Sequence, residues 1–84
     1  MMSEISRFYG IIVKMFPDVN AFESGHLYAL YGEHIGIFDL LTMEMTEGDL
    51  PVRARTLVQE WMQQHQAALQ EMWNSRNPCR LPPL

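Results

Sequence analysis

Cysteine is almost missing from this sequence, glycine is never clustered, and no base at all stands between Met15 and Val52. The single cysteine, Cys79, cannot form an internal disulfide, and a reducing cytoplasm suits such a chain. No apolar run approaches the ~18 residues of a membrane span. The opening Met1-Met2-Ser3-Glu4 lacks the basic-then-apolar order of a secretory signal, so none is expected. Gly10, Gly25, Gly32, Gly36 and Gly48 are isolated from one another, which excludes a phosphate-cradling loop. His26, His34, His65 and Cys79 do not fall at metal-ligand spacing, so neither metal nor cofactor is expected. Cys79 lies in a proline-rich tail, a poor place for cysteine–histidine nucleophilic chemistry. The carboxylate pairs Asp18 with Glu23 and Glu44 with Glu47 fall on turn-like segments rather than in a cleft, which does not suit acid–base catalysis. The chain reads as a non-enzyme.

The missing bases leave an acidic interval. Asp18, Glu23, Glu33, Asp39, Glu44, Glu47 and Asp49 all lie between Met15 and Val52, and the formal net charge of the chain is −4. Such an interval repels phosphate and attracts basic surfaces, so neither nucleic acid nor membrane is the expected partner. The plain reading is that loops and strand edges carry charge for solubility. The sharper one is that Asp18, Glu23, Glu33, Glu44, Glu47 and Asp49 present an acidic face to a basic protein. Met43 and Met45, adaptable side chains beside those acids, fit a contact surface.

What is present argues for architecture. At 48% hydrophobic and 19% charged, the 84 residues are those of one globular domain rather than a disordered chain. From Val52 to Asn74 the apolar residues Leu57, Val58, Trp61, Met62, Ala68, Leu69, Met72 and Trp73 recur at one, three or four positions, with His65 in the same stripe. That is the period of one long helix with a buried face. Pro51 suits its first turn and Asp49 its cap. The outer face is rich in glutamine (Gln59, Gln63, Gln64, Gln66, Gln70), the simplest reading of which is plain helix-forming surface. After Asn74 three prolines bar a helix.

Before the helix the sequence reads as strands. Ser6 to Phe16, rich in aromatic and β-branched residues, predicts one strand. Phe16-Pro17-Asp18 ends it, and Asn20 to Gly25 reads as loop. His26–Tyr31 and His34–Leu41 predict a hairpin about Gly32-Glu33, which would bring His26 and His34 toward each other. Met43–Thr46 predicts a short fourth strand, ended at Glu47-Gly48-Asp49. The fold class is therefore α+β. A small antiparallel sheet of three to four strands, within 6–46, packs on one long C-terminal helix at about 52–74, with a proline-rich tail at 75–84. The helix should bury Leu57, Trp61, Leu69, Met72 and Trp73 against Ile11, Val13, Leu27 and Ile37.

These strands are apolar on both sides, where a half-solvated sheet should alternate. One helix cannot cover two faces. Either the sheet curls and the tail packs beneath it, or a partner, such as a second copy in a homodimer, covers the second face.

Three blocks carry a resemblance. They are Glu4-Ile5-Ser6-Arg7-Phe8-Tyr9-Gly10-Ile11-Ile12-Val13, then Glu47-Gly48-Asp49-Leu50-Pro51 running to Leu57-Val58-Gln59-Glu60-Trp61 and Met72-Trp73, and Arg80-Leu81-Pro82-Pro83-Leu84. In order and spacing the chain resembles a family of small bacterial proteins catalogued as domain of unknown function 4160. The resemblance implies toxin–antitoxin-like pairing, a role suspected because the family often occurs beside another small protein. The family carries Asn-Pro-Pro-His-x-His-Ala before its second strand; here the stretch reads Glu23-Ser24-Gly25-His26-Leu27-Tyr28-Ala29. Tyr28 stands at the second histidine and both prolines are gone, so any site built on paired histidines has lost half the pair.

Three functions follow as expectations. The first is a non-enzymatic module that binds and regulates or inhibits another protein, toxin–antitoxin-like. The second is an acidic inhibitor of phage or mobile-element origin, anti-defence or anti-CRISPR-like, that blocks a basic nucleic-acid-binding surface. The third is an enzyme or metal protein built around His26, which the absent second histidine disfavours.

Overall fold

The computed structural model describes residues 3–17 and 25–84. Five strands, β1 (Ser3–Phe8), β2 (Ile11–Met15), β3 (His26–Tyr31), β4 (His34–Asp39) and β5 (Met45–Gly48), precede two helices, α1 (Val52–Gln64) and α2 (Gln66–Ser75). The strands form one antiparallel sheet in chain order. The α+β class is as expected, but there are five strands rather than three or four, and two helices rather than one. The loop expected at Asn20 to Gly25 lies outside the described residues except for Gly25.

The extra strand comes from the stretch expected to be a single one. Ser6 to Phe16 folds back at Tyr9 and Gly10, which take φ of 50° and 80°. Positive φ at both central residues is what a tight hairpin turn uses to match the twist of its strands. Tyrosine does not advertise that conformation, so the turn is hidden in the sequence. The fold-back resets parity, so that Phe8 as well as Ile11, Val13 and Met15 is buried. A bulge between Glu4 and Ser6 turns both Ile5 and Ser6 inward. The Ser6 hydroxyl donates to the Leu81 carbonyl at 3.1 Å, so its burial leaves no hydrogen bond unmade.

The sheet thus has one core face. Ile11, Val13, Met15, Leu27, Ala29 and Phe38 join Val58, Trp61, Met62, Leu69, Met72 and Trp73 in a single cluster. Two cross-strand rows lie on the other face: Arg7, Ile12, Leu30 and Ile35, then Glu4, Lys14, Tyr28, Ile37 and Glu47. Ile37 is therefore not under the helices as expected, and Leu57 is only half-buried. Period-two geometry decides this: Phe38 points inward, so Ile37 must point out.

The helical stripe breaks at His65, with φ −119° and ψ 20°. Its N–H still donates to the carbonyls of Trp61 and Met62, each at 3.2 Å. Neither proline nor glycine marks the site, so the break has no local signal. It lets two short segments, rather than one straight rod, lay Trp61 and Trp73 on a twisted sheet. Pro51, not Asp49, is the N-cap, and no side chain caps α1. The carboxylate of Asp49 lies instead 3.3 Å from His34 Nδ1.

The tail neither frays nor covers the second face. It runs along the outer edge of β1: Leu81 N–H donates to the Ile5 carbonyl at 2.8 Å, and Trp61 Nε1 donates to the Pro82 carbonyl at 2.8 Å. Leu81 and Leu84 pack against the core cluster. Arg7 and Arg80 both bond the Glu4 carboxylate, at 3.0 and 2.9 Å. Arg7 first, then Arg80, hold that carboxyl down to about 2 from an ordinary value of 4.5. A depressed carboxyl stabilises the fold fully above the unfolded value and loses that contribution as pH falls through the folded one. The tail contact should therefore loosen between about pH 4.5 and 2. The indole N–H resonance of Trp61 should move over that window, and the movement should shrink in Glu4→Gln. An identical titration in both proteins would show that Glu4 does not tether the tail.

Candidate functional site

The acidic residues do not converge. Asp18 and Glu23 lie outside the described residues. Glu33 occupies the β3–β4 turn, Glu44 precedes β5, Glu47 lies in β5 and Asp49 follows it; all four are exposed. Glu47, expected on a turn, is a strand residue on the helix-free face, opposite Ile37. From Glu44 to Asp49 the strand runs about 16 Å, so the acids line an edge and its two ends. Charge along an edge strand also discourages pairing with another edge. Asp39 belongs to the scaffold: its carboxylate accepts from the N–H groups of Leu41 at 2.7 Å and Thr42 at 2.9 Å. Met43 and Met45 are half-buried against the core rather than displayed. Two of the outer-face glutamines also have structural partners: Gln59 Nε2 donates to the Met43 carbonyl at 3.1 Å and Gln66 Nε2 to that of Leu41 at 3.4 Å. They hold the loop before β5 against the helices.

The histidines are kept apart. His26 pairs in register with Asp39 and His34 with Tyr31, which puts them at opposite ends of the β3–β4 hairpin. The expectation that the hairpin brings them together fails because antiparallel register sets the first residue of one strand against the last of the other. The His26 ring lies 5.0 Å from Trp73 and 5.7 Å from Tyr28, and Tyr28 meets Phe16 edge-on at 5.0 Å. Position 28, where the family pattern carries its second histidine, thus adjoins His26, and an aromatic cluster occupies the place. Among the described residues no group of three His, Cys, Asp or Glu side chains lies close enough to hold a metal ion. Cys79 is exposed on the tail.

The structure adds a surface that strand patterning had only hinted at. On the helix-free face Ile12, Tyr28, Leu30 and Ile37 are half-buried and Ile35 is 49% exposed. A second feature, not legible in sequence, is a shallow open cleft between Tyr9, Tyr31, Pro51, Arg53 and Leu57. The two tyrosines reach it from separate hairpin turns, so only tertiary structure joins them.

A five-strand antiparallel meander carrying two helices on one face, with an apolar second face and an acid-lined edge, defines a small α+β scaffold domain. The chain belongs to the family described as Domain of unknown function (DUF4160), whose profile matches residues 10–74, more than half of its length. The matched span takes in the His26–Ala29 stretch and both helices up to Asn74, and leaves out all of β1 and the tail. No curated protein and no solved structure matches the chain. No helix among the described residues is long and apolar enough to cross a membrane.

Proposed function

We propose that this chain is a non-enzymatic interaction module that binds and regulates or inhibits another protein, in a toxin–antitoxin-like manner, through its acidic edge. The observation that carries the reading is that Glu44, Glu47 and Asp49 are exposed along β5 and its ends, with Glu33 exposed in the β3–β4 turn, in an interval with no lysine or arginine from Met15 to Val52. A partner with a basic surface fits that edge. Where such a surface otherwise holds nucleic acid, binding here would block it, which is the anti-defence reading; the same base-free interval favours it.

Affinity purification from the native host would supply the partner, and association rates over an ionic-strength series would then test the edge. Association should slow steeply as salt rises past ~0.15 M, where screening extends only ~8 Å. Glu44→Lys with Glu47→Lys should slow association further while the melting curve stays put, since both side chains are exposed. A rate indifferent to salt would leave these acids as ordinary solvated surface.

A further inference from the structure

We propose that the groove between β1 and α1, which the chain's own tail fills, is a recognition site for an arginine- and proline-containing segment of another protein, and that the tail is the resident ligand such a segment displaces. The occupant in place defines the chemistry. Arg80-Leu81-Pro82-Pro83-Leu84 lies there without regular secondary structure. The Arg80 guanidinium donates to the Glu4 carboxylate at 2.9 Å. The Leu81 N–H donates to the Ile5 carbonyl at 2.8 Å, and the Leu81 carbonyl accepts from the Ser6 hydroxyl at 3.1 Å. The Pro82 carbonyl accepts from the Trp61 indole N–H at 2.8 Å. Leu81 and Leu84 rest on the core cluster.

These contacts specify an extended peptide position by position. Glu4 asks for a cation at the first. The Ile5 carbonyl asks for an N–H at the second, which bars proline there. At the third, Trp61 uses only a carbonyl, so proline is free to stand there. Proline also fixes φ, so less chain entropy is lost when the segment docks. An aromatic-lined groove that reads the backbone of a proline-rich segment is a recurring mode of peptide recognition.

Burial separates the groove from its occupant. Ile5, Ser6 and Trp61 are buried, whereas no residue from Asn74 to Leu84 is. An exposed strap with little buried surface is the part of a fold that opens at least cost. Emptying the groove would take partners from the Ser6 hydroxyl, the Trp61 indole and the Ile5 carbonyl, and buried groups left unpaired are destabilising. Exchange of the tail for a segment of the same chemistry keeps every one of these bonds. Only Asn77-Pro78-Cys79 joins Arg80 to the helix cap at Arg76, so the tail competes at an effective concentration on the order of millimolar. It therefore rejects weak ligands and yields to a partner that adds contacts elsewhere.

Calorimetric titration of the full chain with a synthetic peptide of residues 77–84, carrying Cys79→Ser so that no disulfide forms, tests this. Neither the acidic edge nor its partner takes part, so the result stands apart from that of the experiment above. The acceptor is the chain with Arg80→Glu and Leu81→Asp, whose tail gives up the groove. Circular dichroism should find it folded, because neither position is buried. The peptide should bind it and return the Trp61 indole resonance to its position in the parent. The parent should bind the peptide roughly tenfold more weakly or worse, because its tethered tail competes. Peptides with Arg80→Glu or Leu81→Pro should each lose about tenfold in affinity, the first by facing Glu4 with like charge and the second by lacking the N–H for Ile5. Arg80→Glu alone, a change at an exposed side chain, is the second acceptor should the double variant fail to fold. The proposal is overturned if the folded acceptor does not bind the peptide, if the parent binds it equally well, or if the Leu81→Pro peptide matches the original.

Discussion

Trp61→Ala should cost about 3–5 kcal/mol of folding stability, the range for removing a large buried aromatic side chain. Trp61 is fully buried. Its ring packs 5.6 Å from that of Phe8 on β1 and 5.2 Å from that of His65 at the helix break. Its indole N–H donates to the Pro82 carbonyl of the tail. One side chain therefore joins the edge strand, the break between helices and the chain terminus. A domain of this size has roughly 4–13 kcal/mol of stability in all. The substitution should leave a chain near its folding threshold, and urea titration followed by circular dichroism would measure the loss. Trp61→Phe divides the effect: it keeps most of the packing and gives up the bond to Pro82, at about 1 kcal/mol. A urea midpoint that hardly moves in Trp61→Ala would mean that the helices do not pack on the sheet as described.

Gly48→Ala is the second large effect, and its cause is backbone. Gly48 has φ of 114° and pairs directly with Gly36 of β4. A Cβ built there would strike the Ile35 carbonyl oxygen and lie 2.7 Å from the Gly36 Cα. Neither obstacle can swing aside, and the backbone conformation is itself strained for any residue with a side chain. The expected cost is roughly 2–4 kcal/mol, with loss of the β4–β5 ladder. Gly36→Ala makes a useful contrast. Its Cβ would meet Leu50 Cγ and Met45 Sδ, each at 2.9 Å, which are side-chain rather than backbone atoms. Thermal melting should rank Gly48→Ala well below Gly36→Ala, and the Asp49 amide, bonded to the Ile35 carbonyl in the parent, should exchange faster in Gly48→Ala. The reverse ranking would contradict the close approach of the two strands.

The candidate site was only partly legible in the sequence. The base-free interval was plain from residue counts, because charge needs no geometry to be counted. That Glu33 and Asp49 sit at one end of the sheet and Glu44 at the other was not, because antiparallel register separates residues that are close along the chain. Likewise two histidines flanking a hairpin read as neighbours until register set His26 against Asp39. Met43 and Met45 looked like surface beside acids, but strand alternation and the glutamine tethers turn that loop inward.

By itself the sequence determined the α+β class, the strand His26–Tyr31, the start of β4 at His34, the helical span beginning at Val52, and the family. Each rests on a signal confined to neighbouring residues: side-chain period, turn chemistry, or the order of short blocks. Tertiary structure alone decided the hairpin at Tyr9-Gly10, the break at His65, the tail's place on β1, and which apolar rows face the helices. None of these has a local energetic preference strong enough to be read from residue type. Tyr9 takes a positive φ because the strands on either side pair, and His65 interrupts the helix where both segments can bury their tryptophans on one twisted sheet. The tail stays extended because Trp61 and Ile5 offer it partners more than fifteen residues away in sequence.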